Sequence, residues 1–96
     1  METEKSVEVL LRPARKLGVK SKDIGGELVL YEIDGEQIHI LNPTAQLIWE
    51  LCDGEHTPEK MEWAIRENFA VPEGQDVVGD IRRTLETLAN KGLLVG

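Results

Sequence analysis

An Asp34-Gly35 pair sits between two runs rich in strand-forming residues, Glu27 to Ile33 and Glu36 to Leu41, and constrains this chain more than any other feature. A two-residue type I′ turn needs positive φ at both positions, which Asp-Gly accepts readily, so the runs are expected to fold back as a hairpin. The turn also sets a register, with Ile33 opposite Glu36, Tyr31 opposite Ile38 and Val29 opposite Ile40. Val29, Tyr31, Ile38 and Ile40 then share one face, expected to be the core face. Leu28, Leu30, Glu32, Gln37, His39 and Leu41 share the other, which is more apolar than a fully solvated face requires and is expected to be partly covered. Val19 to Ile24 supplies a preceding strand, joined through Gly25-Gly26. A meander in that order leaves Gln37 to Leu41 at an edge.

The pattern then turns helical. Asn42 is a good N-cap and Pro43 suits the first helical position, with Ala45, Ile48, Leu51 and Cys52 at helical spacing before Asp53-Gly54. Thr57-Pro58 repeats the start, and Met61, Ala64 and Ile65 form a stripe over Pro58 to Asn68, with Phe69 just beyond. A third helix is predicted from Gln75 or Asp76 to Asn90, its core stripe Val77, Ile81, Thr84, Leu85 and Leu88. Lys91-Gly92 stops it, and Leu93-Leu94-Val95 is expected to tuck back onto the core. The sum is an α+β domain of winged-helix type, three strands followed by three helices. Residues 1–18 read as a basic, partly disordered arm ahead of a domain over 19–96.

Ninety-six residues suffice for one compact core. Residues 1–22 hold six basic and three acidic side chains, +3, whereas the remainder holds five basic and fifteen acidic, −10. A phosphate-neutralising face is therefore not expected, and nucleic acid is the lesser reading, that of a winged helix inserting its third helix with Arg82 and Arg83. The start of the chain has no long apolar run, since Val7, Val9, Leu10 and Leu11 are interrupted by Glu8 and stopped by Arg12-Pro13. No membrane association and a cytoplasmic location are expected. Cys52, the single cysteine, excludes an internal disulfide and a thiolate-rich metal site. A nucleophile–base pair with His56 is disfavoured, because Asp53-Gly54 interrupts the helix between them. No phosphate loop, zinc-ligand cluster or paired-carboxylate pattern occurs, so no cofactor and no catalysis are expected.

Leu41-Asn42-Pro43-Thr44-Ala45, then Ile48-Trp49-Glu50-Leu51, Asp53-Gly54, Thr57-Pro58-Glu59, Asp80 to Leu85, Leu88 and Gly92-Leu93-Leu94 follow in an order that resembles the PqqD family, which overlaps with the stand-alone recognition proteins of lasso-peptide clusters. The resemblance implies a non-catalytic recognition element for ribosomally made, modified peptides. In such a domain the leader segment of a precursor adds as a strand beside the third strand, packs against the third helix and is presented to a maturation enzyme. A radical S-adenosylmethionine protein or a leader peptidase would suit that role.

Carried onto this chain, the resemblance points to the edge Gln37, Ile38, His39, Ile40 and Leu41 and to the third helix. There Val78, Arg82 and Ala89 flank the core stripe on one side, with Arg83 and Asp80 on the other. Gln37, His39 and Leu41 are expected to face the incoming side chains, with Arg82 or Arg83 pairing a peptide carboxylate. Ile38, Ile40, Ile81 and Leu85 are expected in the core, under a roof of Trp49 and Trp63. A monomer or weak homodimer is expected, and whether Val7 to Lys16 covers the edge is left open.

Overall fold

The computed structural model describes residues 11–32 and 37–95. Its elements are β1 (Ala14–Arg15), β2 (Val19–Asp23), β3 (Leu28–Glu32), β4 (Ile38–Leu41), α1 (Pro43–Glu50), α2 (Pro58–Asn68), α3 (Val77–Asn90) and β5 (Leu94–Val95). β2, β3 and β4 form an antiparallel sheet in that order, and three helices follow, which is the α+β arrangement anticipated. β1 and β5 pair separately as a short antiparallel ribbon. The Asp34-Gly35 turn lies outside the described residues, but the register it predicts is present: Tyr31 pairs with Ile38 and Val29 with Ile40.

The faces are the reverse of those expected. Leu28, Leu30 and Leu41 are buried at 8%, 0% and 7% exposure, whereas Ile38 and Ile40 stand at 67% and 59%. Tyr31 is exposed with them. Both rows of the hairpin are apolar, so alternation alone cannot choose between them. The junction with α1 decides. Leu41 is the last strand residue before the Asn42 cap, and it is buried where β4 passes into the helix. A period of two then sends His39 inward and Ile38 and Ile40 outward, and the cross-strand partners follow them.

Each helix begins where a side chain relieves the unpaired N–H groups of its first turn. The Ala45 N–H donates to Asn42 Oδ1 (2.8 Å), the Lys60 N–H to Thr57 Oγ1 (3.3 Å) and the Gly79 N–H to Asp76 Oδ1 (3.0 Å). α3 closes at Gly92, whose φ of +74° turns the following peptide back so that the Leu93 N–H reaches the Leu88 carbonyl at 3.0 Å. Leu93 and Leu94 turn back into the core as predicted, whereas Val95, expected with them, is exposed. Ile48, Trp49, Cys52, Met61, Ile65, Val77, Ile81, Leu85 and Leu88 complete that core. Ile81 and Leu85 are thus where they were expected, and Trp49 roofs the core. Trp63, at 70% exposure, does not.

The arm is anchored rather than wholly separate. Pro13 is buried, the Gly54 N–H donates to its carbonyl (2.9 Å), and the Arg15 N–H donates to the Cys52 carbonyl (2.9 Å). The Arg15 guanidinium donates to the Trp49 and Glu50 carbonyls at 3.0 and 2.7 Å, placing a cation at the negative end of α1. Residues 1–10 lie outside the described residues, so the readings of the first part of the arm as disordered and of Val7 to Leu10 as a possible cover of the edge fall there too.

Leu30→Ala should destabilise the domain by about 2–5 kcal/mol and Ile40→Ala by no more than about 1 kcal/mol. Chemical denaturation followed by circular dichroism measures both, and equal costs would contradict the observed assignment of faces.

Candidate peptide-binding edge

The sheet has two borders, and they are built differently. β2 reads Val-Lys-Ser-Lys-Asp, and its last four residues are exposed. Charged side chains of this kind keep a border from pairing with foreign strands. β4 reads Ile-His-Ile-Leu, with no Lys, Asp or Glu. Among the described residues no strand pairs with its outer side. Its free backbone groups are the ones available to an added strand.

Two rows of side chains border that edge. On the helix side lie half-buried His39 and buried Leu41, cross-strand from Leu30 and Leu28. On the outer side Ile38 stands in a row with Tyr31 and Lys20, and Ile40 in a row with Val29 and Lys22. Gln37 precedes β4 and is exposed. The expectation that Gln37, His39 and Leu41 form the outward row is therefore corrected for His39 and Leu41, which face the helices.

The third helix presents two unlike flanks. On one, Arg82 Nη2 reaches Glu59 Oε2 of α2 at 3.1 Å. Val78 shares that flank by helical spacing. On the other flank Arg83 pairs with Asp80, Asp80 also accepts from the Gln75 amide, and the Thr84 hydroxyl donates to the Asp80 carbonyl at 3.0 Å. Asp80 and Thr84 line an apolar recess of about 170 Å³ together with Thr44, Ile48, Phe69 and Val77. Among these lining residues Thr44 lies nearest to β4 along the chain, three residues after Leu41. Helical geometry thus separates the flanking residues read from the sequence: Asp80 faces the recess, together with Thr84 of the expected core stripe, and Arg82 reaches α2. What sequence reasoning missed is the recess itself. Phe69 and Val71 after α2 were its only signal, an apolar pair outside any helical stripe.

Catalytic chemistry finds little support in Cys52. Its side chain is fully buried and lies 3.1 Å from the Ile48 carbonyl, to which the S–H donates. Burial pushes the thiol up from 9.0 to about 12, outweighing the opposing influence of the Arg15 charge. His56 instead pairs with Asp53 at 2.9 Å. That hydrogen bond, with a second from the Glu55 N–H, holds the Asp53 carboxyl below its ordinary range. Among the described residues there is no group of three metal-ligating side chains, and no helix is long and apolar enough to cross a membrane.

Comparison with known proteins follows the same lines. The family model for coenzyme PQQ synthesis protein D, PqqD, matches residues 27–94. A solved structure of TbiB1 in complex with the TbiA(β) leader peptide superposes with a TM-score of 0.72 at 31% identity, covering 86% of this chain and 95% of that one. The heterocyclase TruD matches at a TM-score of 0.60 and 22% identity over 88% of this chain but only 11% of its own, a likeness of fold within a much larger protein. No curated protein matches the chain.

Iodoacetamide near neutral pH should leave Cys52 unmodified in the folded protein and label it rapidly in urea, as read by mass spectrometry. Because the folded thiol titrates above the unfolded one, its contribution to stability is fully present below pH 9.0 and is lost as pH rises toward about 12. Rapid labelling of the native protein would contradict the buried thiol.

Proposed function

Since this chain belongs to the PqqD family, we propose that it binds the leader segment of a ribosomally made precursor peptide as a further strand on β4 and presents it to a modifying enzyme. The observation that carries this reading is the unequal treatment of the two sheet borders, one furnished with Lys, Ser and Asp and the other with Ile, His and Leu. An extended peptide satisfies the free N–H and C=O groups of β4 whatever its sequence, and its side chains supply selectivity. TbiB1, a relative solved in complex with a leader peptide, supports leader binding.

In this reading one set of alternate leader side chains lies along His39 and Leu41. Beyond the end of β4 the peptide reaches the recess lined by Thr44, Val77, Asp80 and Thr84. A recess of about 170 Å³ suits one large apolar side chain. Of the two adjacent arginines, Arg83 stands on the recess side with only the exposed Asp80 as partner, so it is the one placed to meet a leader carboxylate. Arg82 and Val78 would touch a peptide only where it crosses the helix toward α2.

Presentation needs a second surface that the leader leaves free. Val29 and Tyr31 lie one strand in from β4, and Lys22 and Lys20 two strands in, on the outer face of the sheet. Strands are about 4.8 Å apart, which puts these residues beyond the side chains of an added strand. An apolar centre bordered by lysines suits an enzyme surface that carries acidic side chains around an apolar ridge. The charge balance argues against the nucleic-acid alternative: residues 23–96 hold five basic and fifteen acidic side chains, −10, which opposes a phosphate-neutralising face.

Titrating isotope-labelled protein with synthetic leader peptides, the TbiA(β) leader among them, should shift amides of 38–41 and of the Asp80 and Thr84 flank, and absence of binding to any would remove the function. Arg83→Glu should weaken binding about fivefold and Arg82→Glu by less than about twofold, both with folding retained. Lys20→Glu with Lys22→Glu should spare leader affinity and slow modification of the precursor by its enzyme.

A further inference from the structure

On the outer face of this sheet the two border strands differ at equivalent positions. Lys20 and Lys22 occupy the outer positions of β2, and Ile38 and Ile40 occupy those of β4, in the same two cross-strand rows. The isoleucines stand at 67% and 59% exposure. A solvated border gains nothing from isoleucine at such positions, and two adjacent ones on a free edge invite aggregation. Their placement is explained if the strand that fills the edge also covers them.

Resting on the leader-binding reading above, we infer that Ile38 and Ile40 form an outward selectivity row that reads the second set of alternate side chains of the bound leader. In an antiparallel pair, directly opposite residues have Cβ atoms about 4.5–5.5 Å apart on the same face of the sheet. An added strand therefore sets two of its side chains against Ile38 and Ile40. The remaining side chains, of opposite parity, point toward His39, Leu41 and the helices.

An apolar side chain opposite Ile38 or Ile40 removes both partners from water, and a β-branched or aromatic one does so with the geometry strands favour. A charged or small polar residue there leaves the isoleucine wet. The ligand class is thus narrower than any extended peptide: a segment apolar at consecutive positions, not only at every second one. Such a segment is unusual in a soluble leader, where alternation would suffice to fill a one-sided groove. Selectivity on two faces also distinguishes the cognate leader from an arbitrary amphipathic strand, which would satisfy the backbone and the inner row equally well.

The test uses the full chain and synthetic leader peptides, the TbiA(β) leader among them, with affinity read by isothermal titration calorimetry. Ile38→Thr with Ile40→Thr keeps two β-branched residues on an exposed face, so the melting temperature should hold while leader affinity falls about tenfold. Lys22→Gln, on the same face but two strands from the added peptide, should leave affinity unchanged. A peptide with Thr at the positions opposite Ile38 and Ile40 should bind the unaltered protein about tenfold more weakly and lose no more on the double variant, a coupling that leaves the protein's fold untouched. Unchanged affinity in both the protein and the peptide arms overturns the inference and leaves the leader-binding function standing. Failure of the unaltered protein to bind any leader peptide overturns the function itself. Self-association of the unaltered protein that Ile38→Thr with Ile40→Thr abolishes, without any effect on leader affinity, assigns the row to a second copy of the chain and also overturns the inference.

Discussion

The burial of Leu41 at the strand-to-helix junction is the constraint on which the rest of this structure depends. β4 passes into α1 through a single cap residue, Asn42, so the last strand side chain has no choice but to pack where the helix begins. A strand alternates strictly, and hydrogen-bonded partners share a face. Fixing Leu41 therefore fixes Leu28 and Leu30 as the floor of the core and turns Val29, Tyr31, Ile38 and Ile40 toward water. One contact thus decides both what holds the sheet to the helices and which apolar side chains remain for a partner.

The helices add a second asymmetry. α3 is attached to α2 on one flank, where Arg82 meets Glu59, and on the other flank it borders the recess it shares with Thr44 and Phe69. The same helix therefore serves the core through Val77, Ile81, Leu85 and Leu88 and offers Asp80, Arg83 and Thr84 to whatever enters beside it. At the opposite end of α1, the Arg15 guanidinium covers two terminal carbonyls and lies 6.0 Å from the Trp49 ring centre. The Pro13 to Lys16 segment is thereby tied to the helical part and to β5, and does not run along β4. Cys52 sits beneath this junction as a small buried side chain, its thiol held in the neutral form by desolvation.

Much of this was legible in the order of residues. Local signals act over a few positions, and each of them told: Asn42-Pro43, Thr57-Pro58 and Asp76 mark helix starts, Gly92 marks a stop, and the Asp34-Gly35 spacing predicts the pairing of Tyr31 with Ile38. The amphipathic stripe of α3 was equally plain, because its polar face is polar throughout. The edge position of β4 followed from strand order alone.

The faces of the hairpin could not be read in the same way, because both rows are apolar and alternation carries no sign. Leu41 beside the Asn42 cap was the one local hint, and it acquires meaning only when the helix is known to fold back over that row. The recess and the division of Arg82 from Arg83 arise where α1, the segment after α2 and α3 converge, a meeting of residues 44, 69 and 84 that no window along the chain contains. Sequence by itself determined the three strands of the main sheet, the three helices, their order and the hairpin register, since these depend on hydrogen bonds and caps between near neighbours. The ribbon joining residues 14–15 to 94–95 it did not foretell. Tertiary structure alone decided which side of the sheet is wet, because that depends on where distant helices come to rest.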